Sequence, residues 1–282
     1  MNNIFDIKRF GLVFRKDLME GWKRYSLLFL TMLGIIAVVL IWYYLDHYND
    51  IVKHNVVSTR GDVNALRYLA LLFGGFGLIF AATFMSPMNS KLKKITYLVN
   101  PSSSLEKYFT RWIIVTVVYI ISFFIAMWIA DALRVLICSA RYPNLDVAFV
   151  DFTKLIHPGD DYNGAYVFPQ KRFFFFCVAM YFLFQSLFVL GSTFWAKTSF
   201  VKTFTASALI VLAYILVCRW LILFFYGSLD KFGNVLGSFE SLRNIDNEHW
   251  FLIMAFVMSA FTLLNWTLAY FRLRESEIIK RL

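Results

Sequence analysis

Charge is what this sequence has least of. Only 16% of its 282 residues are Asp, Glu, Lys or Arg, while 60% are hydrophobic and 20% aromatic. A soluble domain carries about a quarter charged residues. Too little polar surface remains to cover a water-soluble globule, so the apolar excess needs lipid as its solvent. A nucleotide-binding Walker loop is also missing. It requires Gly-Lys-Ser/Thr after a strand, and no Gly-Lys pair occurs. No HExxH is present, and the four histidines, His47, His54, His157 and His249, are scattered. The three cysteines, Cys138, Cys177 and Cys218, are odd in number and fit no metal spacing, so they read as packing residues. No run of carboxylates crosses the apolar stretches, which weighs against a proton- or cation-driven transporter. The chain is therefore expected to be no enzyme and to carry no cofactor or metal.

What it has in abundance is long apolar runs. Charge-free stretches cover Tyr25–Leu45, Tyr68–Ser90, Trp112–Ala130, Phe173–Ala196, Thr203–Cys218 and Trp250–Phe271. A helix needs roughly 20 apolar residues to cross about 30 Å of hydrocarbon. Five runs meet that alone, and Trp220–Leu229 continues the fifth beyond Arg219. The expected fold is an all-α integral membrane protein forming one transmembrane domain. Its six spans lie near 25–45, 68–88, 112–133, 173–196, 203–226 and 250–271. The first run follows too long a charged segment, and is itself too long, for a signal peptide; it is expected to stay in the mature protein.

With the N-terminus inside, residues 1–25, 89–111, 197–202 and 272–282 carry 17 basic and 6 acidic residues; the other side carries 11 and 12. All of the +10 net charge then lies inside, as the positive-inside rule expects. Both termini are expected in the cytoplasm, and this distribution points to lipid rather than nucleic acid as the partner. Trp22, Trp112, Trp195 and Trp266 fall near inner span ends, and Trp42, Trp128, Trp220 and Trp250 near outer ones, where indole rings favour the headgroup level.

An amphipathic helix is expected over 3–23, before the first span. Ile4, Ile7, Phe10, Phe14, Leu18 and Trp22 share one face, and Lys8, Arg9, Arg15, Lys16, Asp17, Glu20 and Lys23 take the rest, so it should lie in the inner interface. The segment 87–111 is the most informative. Leu92, Ile95 and Val99 recur at helical spacing beside Lys91, Lys93 and Lys94. Asn100-Pro101 breaks that helix, and Ser103 with Glu106 forms a capping box that starts the next, running into span three. A short basic helix facing the cytoplasm suits a soluble partner; a loop held to anionic lipid is the alternative. The outer segments 137–172 and 227–249 are long, and the second is apolar enough to dip toward the membrane. Gly74, Gly75 and Gly77 sit mid-span, where small residues allow close packing.

Charges at membrane depth carry weight because they are costly. Asp131 and Arg134 lie near the outer end of span three, and Arg219 near that of span five. Asp131 has two candidate partners, Arg219 across helices or Arg134 at i,i+3; the charges could also reach the headgroups.

On these residues the chain resembles the six-span permease subunits of ABC-2 type transporters, in the exporter-like branch whose ATPase is a separate polypeptide. Three features carry the resemblance. The first is the amphipathic lead-in Ile4–Trp22. The second is Pro101, Ser103, Glu106, Lys107 and Arg111, which matches a P-x-S-x-x-E-K-x-x-x-R stretch after span two. The third is Gln185-Ser186-Leu187-Phe188 with Gly191-Ser192 and Lys197, Lys202 and Thr203. The loop between spans three and four is longer than such permeases usually have. The resemblance implies that Lys91–Val99 is a coupling helix docking on the ATP-binding subunit. It implies further that two permease copies, identical or paired, form one translocation unit in a bacterial cytoplasmic membrane, and that 227–249 holds re-entrant helices. A membrane scaffold or sensor anchoring a soluble partner is the rival reading.

Overall fold

The computed structural model describes residues 5–54, 61–89, 95, 97, 99, 102–145, 147–156, 166–168, 170–195, 198–226 and 247–278. Among the described residues, six helices are long and apolar enough to cross a membrane: α1 (Ile7–His54), α2 (Gly61–Ala82), α3 (Ser104–Arg141), α4 (Lys171–Phe194), α5 (Ser199–Tyr226) and α6 (Asn247–Ile278). The protein is an all-α multi-pass membrane protein. Among the described residues the only β pairing is an isolated bridge between Ile156 and Phe168. The segment 227–246, with its expected re-entrant helices, lies outside the described residues, as do Ile4, Lys91, Leu92, Lys93, Lys94, Pro101 and Lys197.

The helices run longer than the charge-free stretches. The amphipathic lead-in and the first span are one helix of 48 residues, about 72 Å long at 1.5 Å per residue. Nothing between Trp22 and Tyr25 stops a helix: the charge density changes there, but no Pro, Gly or cap residue intervenes. That length is more than twice the hydrocarbon thickness, so the N-terminal part projects beyond it or tilts. α2 begins at Gly61 rather than Tyr68, and α3 runs from Ser104 to Arg141, because Asp62, Asp131 and Arg134 are paired inside the fold rather than solvated in loops.

Two apolar cores lie along the bundle. One gathers Met32, Ile36, Leu40 and Tyr44 of α1 with Leu66, Leu69 and Phe76 of α2 and Tyr119, Phe123 and Met127 of α3. The other gathers Phe84 and Met85 after α2 with Tyr97, Tyr108, Phe188, Val189, Ala269 and Leu273. The second core puts the start of α3 and the end of α6 at the same end of the bundle, and the contact of Glu106 with Asp6 and Arg9 puts the start of α1 there too. We call it the terminal end and its opposite the far end. α4 and α6 pack along one another, and α1 packs chiefly on α3.

Two close approaches set helix spacing. A Cβ at Gly77 would lie 2.7 Å from Tyr181 Cε2, and one at Gly191 would lie 2.8 Å from the Thr203 Cβ, so α2 meets α4 and α4 meets α5 through hydrogen-only faces. Gly74 and Gly75 face open space, and the packing role expected of the three glycines falls to Gly77 alone.

α3 is not uniformly α-helical. Ile114–Val118 forms one π turn. At about 100° per residue, an unbroken α-helix would place Arg134 about 140° around the axis from Arg111. One extra residue taken up in a π turn reduces that to about 40°. The buried row Tyr119, Phe123, Met127, Ala130 and Arg134 thereby stays in phase with Arg111. Within the turn, the buried Thr116 accepts a hydrogen bond from Gln185 Nε2 of α4 at 2.9 Å.

Candidate coupling site at the terminal end

The short segment before α3 is described at Ile95, Tyr97 and Val99, all helical. Alternate residues of a helix point to different sides, and the burial follows that. Tyr97 is packed into the second core, while Ile95 is 59% and Val99 74% exposed. These two apolar side chains form an outward face, as the i,i+4 spacing expects. The Lys107 ammonium lies 5.6 Å from the centre of the Tyr97 ring, a cation–π contact that ties the segment to the first turn of α3.

That first turn is fixed by its own residues. Ser103 is the N-cap, its hydroxyl accepting from Glu106 N at 3.2 Å while Glu106 Oε2 accepts from Ser103 N at 3.0 Å. This is the capping box read from the sequence. Glu106 does more than cap. Fully buried, it uses Oε1 to accept from Asp6 N at 2.8 Å and to pair with Arg9 Nη2 at 3.2 Å. One turn on, Arg111 Nε lies 2.9 Å from Asp17 Oδ2, not aligned as a hydrogen bond, and Arg111 Nη1 donates to the Tyr25 hydroxyl at 3.0 Å. Asp17 is 4% exposed. Glu106, Lys107 and Arg111 thus clamp α1, α3 and the short segment together.

The helical wheel assigned Arg9 and Asp17 to the solvated face of the lead-in, and the structure corrects this. That side faces α3, with Val13 and Asp17 buried. Phe10, Phe14 and Leu18 are half-buried, with Phe10 and Phe14 stacked at 6.4 Å, while Ile7 and Trp22 are exposed. The signal for Asp17 is weak, one of two acids, with Glu20, on a mostly cationic face, and its partner lies far away in sequence.

A second polar cluster closes the far end. Asp131 Oδ1 accepts from Arg134 Nε at 2.6 Å, and Oδ2 from Val150 N at 3.0 Å. Arg134, fully buried, also donates to Ala148 O at 2.7 Å and lies 4.0 Å over the Tyr44 ring. The Tyr44 hydroxyl donates to Asp62 Oδ1 at 2.7 Å, and Asp62 Oδ2 pairs with Lys154 at 2.6 Å. The loop after α3 is thereby sewn to α1, α2 and α3. In that loop Asp151 caps a short turn, and the Thr153 hydroxyl and N–H hold its carboxyl below the usual range. Of the two partners open to Asp131, it takes Arg134. Arg219 is exposed on α5, so the cross-helix pair is not formed. Arg219→Leu is therefore expected to change the unfolding free energy by no more than about 0.5 kcal/mol, measured by equilibrium unfolding in detergent. A cost of several kcal/mol would mean that Arg219 has a buried acidic partner after all.

Between the two ends, Ser186 accepts from Asn265 Nδ2 at 3.0 Å, and Gln185 is fully buried against Thr116. The Gln185-Ser186 pair singled out in the sequence joins α4 to α3 and α6. Among the described residues no three His, Cys, Asp or Glu side chains gather as metal ligands. No family model, curated protein or solved structure matches this chain.

Proposed function

We propose that the chain is the permease subunit of an ABC-2 type export system in a bacterial cytoplasmic membrane, driven by a separate ATP-binding subunit docking at the terminal end. The observation that carries this reading is the exposed Ile95/Val99 face on a segment whose opposite side, Tyr97, is anchored to α3. A face held this way transmits force. A push on Ile95 and Val99 passes through Tyr97 to Lys107, then through Glu106 and Arg111 to α1. α1 and α3 in turn reach the far-end cluster at Tyr44, Asp131 and Arg134. The starts of α1 and α3 and the end of α6 meet at this end, and the basic excess of the sequence segments that adjoin them supports its cytoplasmic placement.

The test is Ile95→Asp. An aspartate at the centre of an apolar contact would be desolvated without a counter-ion. Binding to the ATP-binding subunit and stimulation of its hydrolysis are expected to fall at least about tenfold, a loss of about 1.4 kcal/mol or more, with all six helices still inserted. Lys91→Ala is expected to alter mainly association rate and salt dependence. Wild-type binding and stimulation by Ile95→Asp would remove the coupling assignment. Loss of binding without any ATP-dependent change in labelling of a cysteine placed at the exposed Phe149 would make the protein a static anchor.

A further inference from the structure

We propose that a cleft at the far end, between α1 and α3, binds the headgroup of an aminophospholipid. The cleft has a volume of about 590 Å³ and is lined by Trp42, Asp46 and Asn49 of α1, Ile137 and Arg141 of α3, and Tyr142 just beyond it. Its wall is held by Tyr142, whose hydroxyl donates to Leu45 O at 3.4 Å.

Depth places it at the lipid interface. Along α1, Trp42 lies about 26 Å beyond Tyr25, and Asp46 and Asn49 about 31–36 Å beyond it. The hydrocarbon layer is about 30 Å thick. The cleft therefore opens where the apolar layer ends and headgroups begin. Trp42 is 77% exposed, as befits an indole at that level.

Charge selects the ligand. The buried and half-buried carboxylates at this end are satisfied, Asp131 by Arg134, Asp62 by Lys154 and Asp151 by Thr153, while Asp46 is exposed. Among the described residues, Asp46 and Arg141 have no ion-pair partner, yet both line one cleft. An unpaired acid and an unpaired base over an apolar floor complement a zwitterion with one phosphate, one ammonium and an attached acyl chain. Arg141 meets the phosphate with its planar fork. Asp46 and the Asn49 carbonyl accept N–H bonds from a primary ammonium, with Trp42 beside it for a cation–π contact. The acyl chain continues along Ile137. Asp46 disfavours an anionic glycerol headgroup, and a quaternary choline has no N–H to give it, so phosphatidylethanolamine is the expected occupant. The assignment does not depend on coupling to an ATPase.

The experiment is native mass spectrometry of the purified full chain. It is equilibrated with equal amounts of phosphatidylethanolamine, phosphatidylglycerol and phosphatidylcholine of matched chains. Phosphatidylethanolamine is expected to be retained over both others, and Asp46→Asn and Arg141→Gln are each expected to lower its retention about tenfold. Both positions are exposed, and unchanged circular dichroism would show the helices intact. A second readout is quenching of Trp42 fluorescence by brominated phosphatidylethanolamine, measured as the signal lost on Trp42→Phe. Equal retention of the three lipids, a preference for phosphatidylglycerol, or wild-type retention in both variants would each overturn the proposal.

Discussion

Arg111→Leu is expected to destabilise the protein by about 3–5 kcal/mol, the usual cost of removing one partner from a buried ion pair. The loss is large because Asp17 cannot escape. It is 4% exposed, it sits on a helix held from both ends, and its facing cation is Arg111 at 2.9 Å. The Tyr25 hydroxyl would lose one of its two donors in the same step, keeping Arg24. Adding Asp17→Asn should recover much of the loss, because a neutral amide is far cheaper to bury than a carboxylate. The surface pair Lys16–Glu20, 3.7 Å apart and well exposed, is the control, and Lys16→Ala should cost no more than about 1 kcal/mol. Equilibrium unfolding of the four members of the Arg111/Asp17 cycle in detergent measures the coupling. A coupling below about 0.5 kcal/mol would mean that the two residues are solvated independently and that α1 is not clamped to α3.

Features that depend on local chemistry were legible in the sequence. Six charge-free runs located six helices, because a hydrocarbon layer tolerates few uncompensated charges. Ser103 and Glu106 announced a helix start, because a capping box needs only four consecutive residues. Ile95 and Val99 could be placed on one face by spacing alone. What was not legible depends on partners distant in the chain. The charge-free run can start only at Tyr68, whereas α2 starts at Gly61, because Asp62 is neutralised by Lys154 from beyond α3. Asp17 and Arg9 read as solvated because the residues that pair with them are Arg111 and Glu106. The division of 7–54 into an interfacial helix and a span followed a real change in amphipathicity, but that change alters what surrounds a helix, not whether the helix continues.

The π turn in α3 left no local signature, since Ile114–Val118 contains neither Gly nor Pro. Its cause is tertiary. The terminal part of α3 is held by Glu106 and Arg111, and its far part by Asp131 and Arg134, and both parts lean on the same helix α1. The two sets of contacts share one phase only with an extra residue between them. Once in place, the turn is held by Gln185 Nε2 donating to Thr116 Oγ1, a link to α4 that also makes it sensitive to movement of that helix. π turns of this kind concentrate at functional sites.

Insertion of one alanine after Val117 tests this, and its expected effect is the largest of all. Val117 is 40% exposed and makes no polar contact of its own, so Val117→Ala should cost no more than about 1 kcal/mol. Deleting Val117 would turn the π turn into α-helix yet keep Arg134 about 40° from Arg111, since one α-helical residue fewer gives the same phase. Inserting a residue instead rotates everything beyond it by about 100°, with a shift of about 1.5 Å along the axis. Tyr119, Phe123 and Met127 would leave their places in the core. In lipid that forfeits packing rather than hydrophobic transfer, but many contacts of about 0.1–0.2 kcal/mol each would go at once. The polar cost is sharper. Arg134 would swing away from Ala148 and the Tyr44 ring, and a charge left facing hydrocarbon costs up to about 2.5–3.5 kcal/mol. Together these approach the whole stability of an ordinary domain, about 5–15 kcal/mol. The insertion variant should therefore insert into the membrane, since its apolar runs stay apolar, but fail to reach the folded state, while Val117→Ala behaves as wild type. Unfolding in detergent and protease sensitivity of the loop after α3 report this directly. If the insertion variant is as stable and as protected as Val117→Ala, the two halves of α3 turn independently, and α3 cannot carry motion from the clamp at Arg111 to the cluster at Arg134.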